Sequence, residues 1–390
     1  MSNTKIFNFW HTTFMGVFLL LLIIIIDTIT NTFDINKYIW DFKYYIAFAK
    51  DGFDMKDLIS PVAYRYMTPF LASLIHGIFH VSIPEAFKVL AYIGLWLQLM
   101  GIYIFILFYT KSIKGAIVAT LSVAFSAVNV KFLLFDPYRP DLFAYFIVTV
   151  AVYLAFEKRV LWLMLVTAIG VQFREFTLVP LLAYFMSLVL NKEWQEIKIY
   201  VVPFIFTLII SVFVPRWVIP ITESYQYVKN FNDLLTVPLN KWRSFNWLYT
   251  ILIYFMPTFI LLSIARVKNL KEKITYEYFT FILMYTLLVA LLSMYGGTDL
   301  SRFTTFMFIP QIIFVGYLSI YASKIELIYL LVTVFIFNKI HTQIIVGDVN
   351  WYGGYDNIVT SSTYMHLIWM SIIIVGAIIL RFIEKIKFFK

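Results

Sequence analysis

A run of about 17–25 apolar residues is long enough to cross the hydrocarbon core of a bilayer, and such runs recur along the whole of this 390-residue chain. In that core every backbone N–H and C=O must find its partner within the protein, so a run of this kind folds as a helix or as a strand of a closed barrel. A barrel strand alternates polar and apolar residues. The stretches Leu19 to Ile26 and Phe143 to Phe156 are nearly continuous in apolar residues instead. The sequence therefore predicts an all-α chain, a polytopic transmembrane bundle. Its composition agrees, being 62% hydrophobic and 14% charged with a mean hydropathy of +0.84.

Apolar runs place about twelve helices, centred near Leu20, Leu99, Val123, Val148, Leu165, Ala183, Phe206, Leu252, Leu287, Ile312, Leu331 and Ile373. The first run, Met15 to Ile26, is followed by acidic and aromatic sequence without a small-residue cleavage site, and reads as a retained helix. Orientation follows from charge. With the N-terminus inside, the short inner connections carry Lys111 and Lys114, Lys158 and Arg159, Lys192 and Lys198, the group Arg266, Lys268, Lys271 and Lys273, and Lys324. The C-terminal tail, also inside, adds Arg381, Lys385, Lys387 and Lys390. Of 31 basic and 22 acidic residues, this arrangement leaves about 16 basic and 7 acidic on the cytoplasmic side, as the positive-inside rule requires. Residues 67–81 are apolar enough for a short span, but a crossing there would invert every later loop. They read as a re-entrant or surface-lying segment.

The residues form one integral membrane domain, 1–390, with its long connections outside. The first extracytoplasmic loop, 27–84, holds amphipathic or re-entrant helices, and 215–246 and 341–366 are further extracytoplasmic loops. Long loops in a compact chain tend to carry function. The chain has no cysteine, which excludes disulfides, thiolate metal sites and a cysteine nucleophile. Its histidines lack metal-ligand spacing, no phosphate-loop or dinucleotide glycine pattern occurs, and the basic residues form no nucleic-acid patch. No internal repeat supports a transporter of two related halves.

Ionisable groups at membrane depth are expensive and tend to be functional, and here they gather in outer turns. Asp41 opens Trp40-Asp41-Phe42-Lys43-Tyr44-Tyr45 after the first helix. Asp136 and Asp141 bracket Arg139 in a tight turn, Arg174 and Glu175 interrupt two apolar runs, and Asp299 and Arg302 follow a Gly-Gly pair. A carboxylate can accept a proton from an attacking hydroxyl, and a guanidinium fork can hold a phosphate as charge builds on it. Each group also has a plainer reading. Asp41 fits a solvated loop acid or helix cap, Arg139 an ion-pair knot, Arg174 and Glu175 a local pair, Arg302 a snorkelling side chain, and Arg65 an interfacial anchor or loop salt bridge.

This layout resembles the GT-C membrane glycosyltransferases, which use polyprenyl-phosphate sugars. The likeness rests on Asp41 in the first outer loop, on Tyr44-Tyr45 and an Ala-rich amphipathic stretch ending Lys50-Asp51-Gly52-Phe53, and on Pro61 to Pro69 leading back to the membrane. The turns at Asp136 to Asp141 and Arg174-Glu175 extend it. The chain departs from many relatives in having Phe42 where a second acid would stand, which leaves divalent-metal dependence open, and in having no large soluble C-terminal domain. No cofactor is firmly implied. The resemblance implies transfer of a hexose or pentose from a polyprenyl-phosphate donor to a glycan, lipid or protein acceptor, by one inverting displacement at the extracytoplasmic face of a bacterial or archaeal plasma membrane. Asp41 would be the general base, with Arg174, Arg302 and Arg139 as donor-phosphate ligands. Tyr44, Tyr45, Arg65, Asp136, Asp141, Glu175 and Asp299 would contact substrate. The competing expectations are a lipid-linked glycan or amphiphile transporter or flippase, and a polysaccharide polymerase or ligase.

Overall fold

A computed structural model of the protein describes residues 9–29, 42–55, 58–126, 130, 132–224, 231–239, 241–264, 276–295, 303–346, 368 and 370–383. The chain is all-α. The strands among these residues are one parallel pair of two residues each, β1 (Ile59–Ser60) and β2 (Glu223–Ser224).

Each of the twelve expected centres falls within a helix. These are α1 (Phe9–Ile29), α4 (Ile83–Thr110), α5 (Ile113–Ala124), α7 (Asp141–Phe156), α8 (Val160–Val171), α9 (Val179–Leu190), α10 (Trp194–Leu208), α13 (Lys241–Ile264), α14 (Tyr276–Tyr295), α15 (Phe308–Tyr321), α16 (Lys324–Val346) and α17 (Met370–Ile383). Shorter helices fill the connections: α2 (Phe42–Asp51), α3 (Met67–Phe79), α6 (Phe132–Phe135), α11 (Val214–Val218) and α12 (Phe231–Leu239). Four stretches are long and apolar enough to cross a membrane, namely Trp10–Ile29, Ile83–Thr110, Trp194–Val218 and Tyr278–Tyr295. Several other apolar runs are divided between a helix and an irregular lead-in. A 3-10 turn, Glu175–Leu178, precedes α9, and another, Thr305–Met307, precedes α15. Hydropathy counts such turns as part of the run, although the regular helix is shorter.

Residues 215–246, expected as a loop, contain the end of α11, all of α12 and the start of α13. Pro215 lies in the first turn of α11 and Pro238 in the last turn of α12. Proline in a first turn gives up an N–H that has no helical partner anyway. Of the expected loop 341–366, residues 341–346 extend α16 and the rest lies outside the described residues.

Helix ends are set by local chemistry. Ser82 caps α4 in a reciprocal box, its hydroxyl accepting from the Glu85 backbone N–H while the Glu85 carboxylate accepts from the Ser82 N–H at 2.8 Å. Ser323 and Glu326 repeat the device at α16. At their far ends α4, α7 and α9 are followed by Lys111, Lys158 and Lys192 in the left-handed region, with φ of 55°, 55° and 60°. These cations lie beside helix C-termini, where the dipole is negative.

The core forms where α4 packs on α5 and α7, α5 on α15, and α9 on α14. The approach of α5 to α15 is backbone-close, because a Cβ at Gly115 would meet the Gly316 carbonyl oxygen at 2.6 Å. By contrast α10 and α11 leave most of their apolar side chains uncovered, among them Val202, Ile205, Phe206, Trp217 and Val218. Between them the turn Ile209–Phe213 widens to π geometry. The Gln172 side chain donates to the Ser211 carbonyl there at 3.1 Å, supplying a partner where the helical ladder is disturbed.

Alternating helix directions give the bundle two chemically distinct ends. One gathers the connections after α4, α7, α9 and α15: the Lys114 ammonium donates to the carbonyls of Ile320 and Ala322, Lys158 lies 4.0 Å from Glu193, and Phe156 stacks on Tyr278 at 4.6 Å. The other end gathers the acid and arginine turns.

Candidate functional site

At that second end the α8–α9 connection is the organising element. Arg174 has extended backbone, with φ −162° and ψ 139°, and consecutive side chains on extended backbone point to opposite sides. Arg174 turns inward and is fully buried. It pairs with Asp141, the first residue of α7, which is equally buried. Three rings enclose the guanidinium, Phe303 at 4.8 Å, Phe306 at 5.8 Å and Phe176 at 5.9 Å from their centroids. Such a pair recovers part of the large cost of desolvating two charges through mutual attraction, and aromatic faces add favourable electrostatics for the cation.

Glu175 turns outward. The Arg65 Nε donates to its carboxylate at 3.0 Å, the Arg65 terminal nitrogen lies 3.0 Å from the same oxygen, and Arg216 stands 3.9 Å from the other oxygen. Side-chain exposure is 13% for Arg65, 28% for Glu175 and 35% for Arg216, so an approaching ligand can reach all three. The Arg216 guanidinium lies 4.9 Å over the Tyr64 ring and donates to the Val212 carbonyl at 2.8 Å. Burial pushes the Glu175 carboxyl up, but the Arg65 charge, a backbone hydrogen bond, the Arg65 hydrogen bond and the Arg174 charge together hold it below the ordinary carboxylate range.

Backbone contacts tie these elements together. Met67 N–H donates to the Gln172 carbonyl at 3.3 Å, Thr222 N–H donates to the Leu58 carbonyl at 2.8 Å, and β1 pairs with β2. The Asp136-to-Asp141 turn closes on itself through the Arg139 Nε bond to Asp136, 2.5 Å long, with both residues buried. Tyr138 packs between Phe42 and Phe87, at 5.6 and 5.0 Å.

The structure thus brings together Arg65 and Glu175, Asp141 and Arg174, and Asp136 and Arg139, and draws the 303–306 turn to Arg174. Tyr45 is 2% exposed and belongs to the apolar cluster around Phe87 and Tyr138, so it serves the packing of α2. Tyr44 is half-buried, with the Lys43 ammonium 4.8 Å from its ring centroid. Asp41, Asp299 and Arg302 lie outside the described residues. Among the described residues no group of three His, Asp or Glu is placed to hold a metal ion. Arg216 is the residue that sequence reasoning missed. Its signal was present, since it is the only charge between Lys198 and Glu223.

Chemically, Arg65 and Arg216 flank a carboxylate that already occupies the position an incoming anion would take. Guanidinium forks bind carboxylate and phosphate in the same bidentate manner. No protein-family model matches the chain, and no curated protein or solved structure matches it either.

Proposed function

We propose that the protein is a polytopic membrane glycosyltransferase of the GT-C type. It takes a sugar from a polyprenyl-phosphate donor at the extracytoplasmic end of its bundle and passes it to an acceptor hydroxyl. One observation carries the reading: an apolar helical bundle whose acid and arginine turns collect at one end, with lysine-terminated helices at the other. The lysine end is cytoplasmic in this proposal.

In the reaction, the acceptor oxygen forms a bond to the anomeric carbon as the bond from that carbon to the phosphate oxygen breaks. Asp41 takes the hydroxyl proton, and the bonding electron pair leaves on the phosphate. A phosphate leaving group needs countercharge rather than an acid, and the accessible guanidinium groups of Arg65 and Arg216 are suited to supply it. The burial of Arg174 and Arg139 suits them to positioning, since they hold the α7 and α9 entrances from which the accessible groups are presented. The prenyl chain lies against the uncovered apolar surface of α10 and α11, next to Arg216 in sequence.

The test gives the purified full-length protein a radiolabelled polyprenyl-phosphate sugar and membrane-extracted acceptors. Asp41→Asn is expected to lose about 100-fold or more of the transfer rate. Unchanged transfer by a stably folded Asp41→Asn protein removes the proposed base. Movement of the donor across vesicles with no new glycosidic bond replaces the enzyme with a carrier.

A further inference from the structure

From the three-sided character of α3 we infer that this helix lies in the plane of the membrane interface, with one side in the acyl region of a single leaflet. At 13 residues it is about 20 Å long, short of the roughly 30 Å hydrocarbon core. A helix advances about 100° per residue, and on that wheel α3 and its cap His80 divide into three sectors. Thr68, Pro69 and Ala72 are buried against the protein, with Leu71 and Ile75 half-buried; Pro69, in the first turn, carries the buried side round to the polar strip. Phe70, Leu74 and Ile78, four residues apart in turn, are 49%, 44% and 66% exposed. Ser73, His76 and His80 form a polar strip between the buried sector and the far edge of the apolar one, with both histidines exposed.

The centres of the polar and apolar strips stand about 130° apart on the wheel, and the protein takes the remaining side. A crossing or re-entrant helix would carry the polar strip into hydrocarbon. A helix wholly in water would expose Phe70, Leu74 and Ile78 to solvent. Lying flat at the interface gives each strip the medium it suits. Continuity supports lipid as the occupant. After the short turn at His80 the chain enters α4, one of the long apolar stretches, which leaves Val89 and Ile93 exposed in its first turns. The arrangement also fixes a depth, because α3 begins two residues after Arg65 and its first N–H is bonded to Gln172. Arg65 and Glu175 then sit at the level of the lipid headgroups. This inference needs the chain to be in a bilayer but does not rest on the glycosyltransferase reading.

The test places single cysteines by Leu74→Cys, Ile78→Cys, Ser73→Cys and His76→Cys in the otherwise cysteine-free full chain. Each variant is labelled with bimane and reconstituted into nanodiscs of phosphatidylcholine and phosphatidylglycerol. Labels at 74 and 78 are expected to lose several-fold more fluorescence to lipid brominated near the headgroup than to aqueous iodide, and labels at 73 and 76 the reverse. Strongest quenching at 74 and 78 by lipid brominated at the chain ends would mean a re-entrant helix and overturn the inference. Iodide quenching at all four positions, or protection of 74 and 78 from both quenchers, would overturn it as well.

Discussion

A guanidinium with no exposed surface, held by the Asp141 carboxylate and ringed by Phe176, Phe303 and Phe306, commits its neighbourhood to a single arrangement. Truncating one partner of a buried ion pair such as Arg174–Asp141 typically costs about 3–5 kcal/mol. Arg174→Ala should therefore lower the thermal unfolding temperature of the detergent-solubilised protein sharply. Replacing the pair together, by Arg174→Met with Asp141→Leu, should recover most of that loss, because the aromatic surround accepts apolar volume. Glu175 behaves differently because it is partly exposed. Its carboxyl titrates lower in the folded protein than its ordinary value of 4.5, so its contribution to stability is present above that value and lost as pH falls through the depressed one. Unfolding temperatures of wild type and Glu175→Gln should differ at neutral pH and converge on acidification below about 4.5. Arg174 and Glu175 were legible in the sequence as charges between two apolar runs. Their partners were not, because Arg65 lies 110 residues from Glu175 and nothing local in the chain records such a pairing.

Two glycines show how differently the elements constrain their surfaces. At Gly115 a methyl group would strike the Gly316 carbonyl oxygen, which is backbone and cannot swing aside. Gly115→Ala should cost about 1–3 kcal/mol as α5 and α15 are forced apart. At Gly77, within α3, a Cβ meets nothing within 4 Å, so Gly77→Ala should stabilise by about 0.4–1 kcal/mol by restricting the unfolded chain. Chemical denaturation of the two variants in matched detergent measures both. Helix positions were readable because apolar runs of this length admit little else, and all twelve centres fell inside helices. Helix lengths were not, since Thr305–Met307 and Glu175–Leu178 are as apolar or as helix-compatible in composition as the spans they introduce. Only their backbone turns tighter. The π turn at Ile209–Phe213 escaped for the same reason, its stabilising partner Gln172 being 39 residues from Ser211.

For the whole molecule, the division of charge between two ends yields a direct prediction. In sealed, oriented vesicles, membrane-impermeant thiol reagents should label Phe53→Cys from one side and Lys158→Cys from the other. Labelling of both from the same side would undo the proposed topology. The three lysines that close α4, α7 and α9 carry a further consequence. A left-handed backbone disfavours any side chain with a Cβ by roughly 1–2 kcal/mol, so Lys111, Lys158 and Lys192 are each the wrong residue for folding alone. Glycine would suit those three positions better and would erase charge that, in the proposed topology, directs how the nascent chain is threaded. Selection for heat resistance in the finished protein and selection for correct insertion during synthesis would therefore pull these positions in opposite directions. A stabilised variant rich in glycine there would be expected to melt later and to insert in mixed orientations.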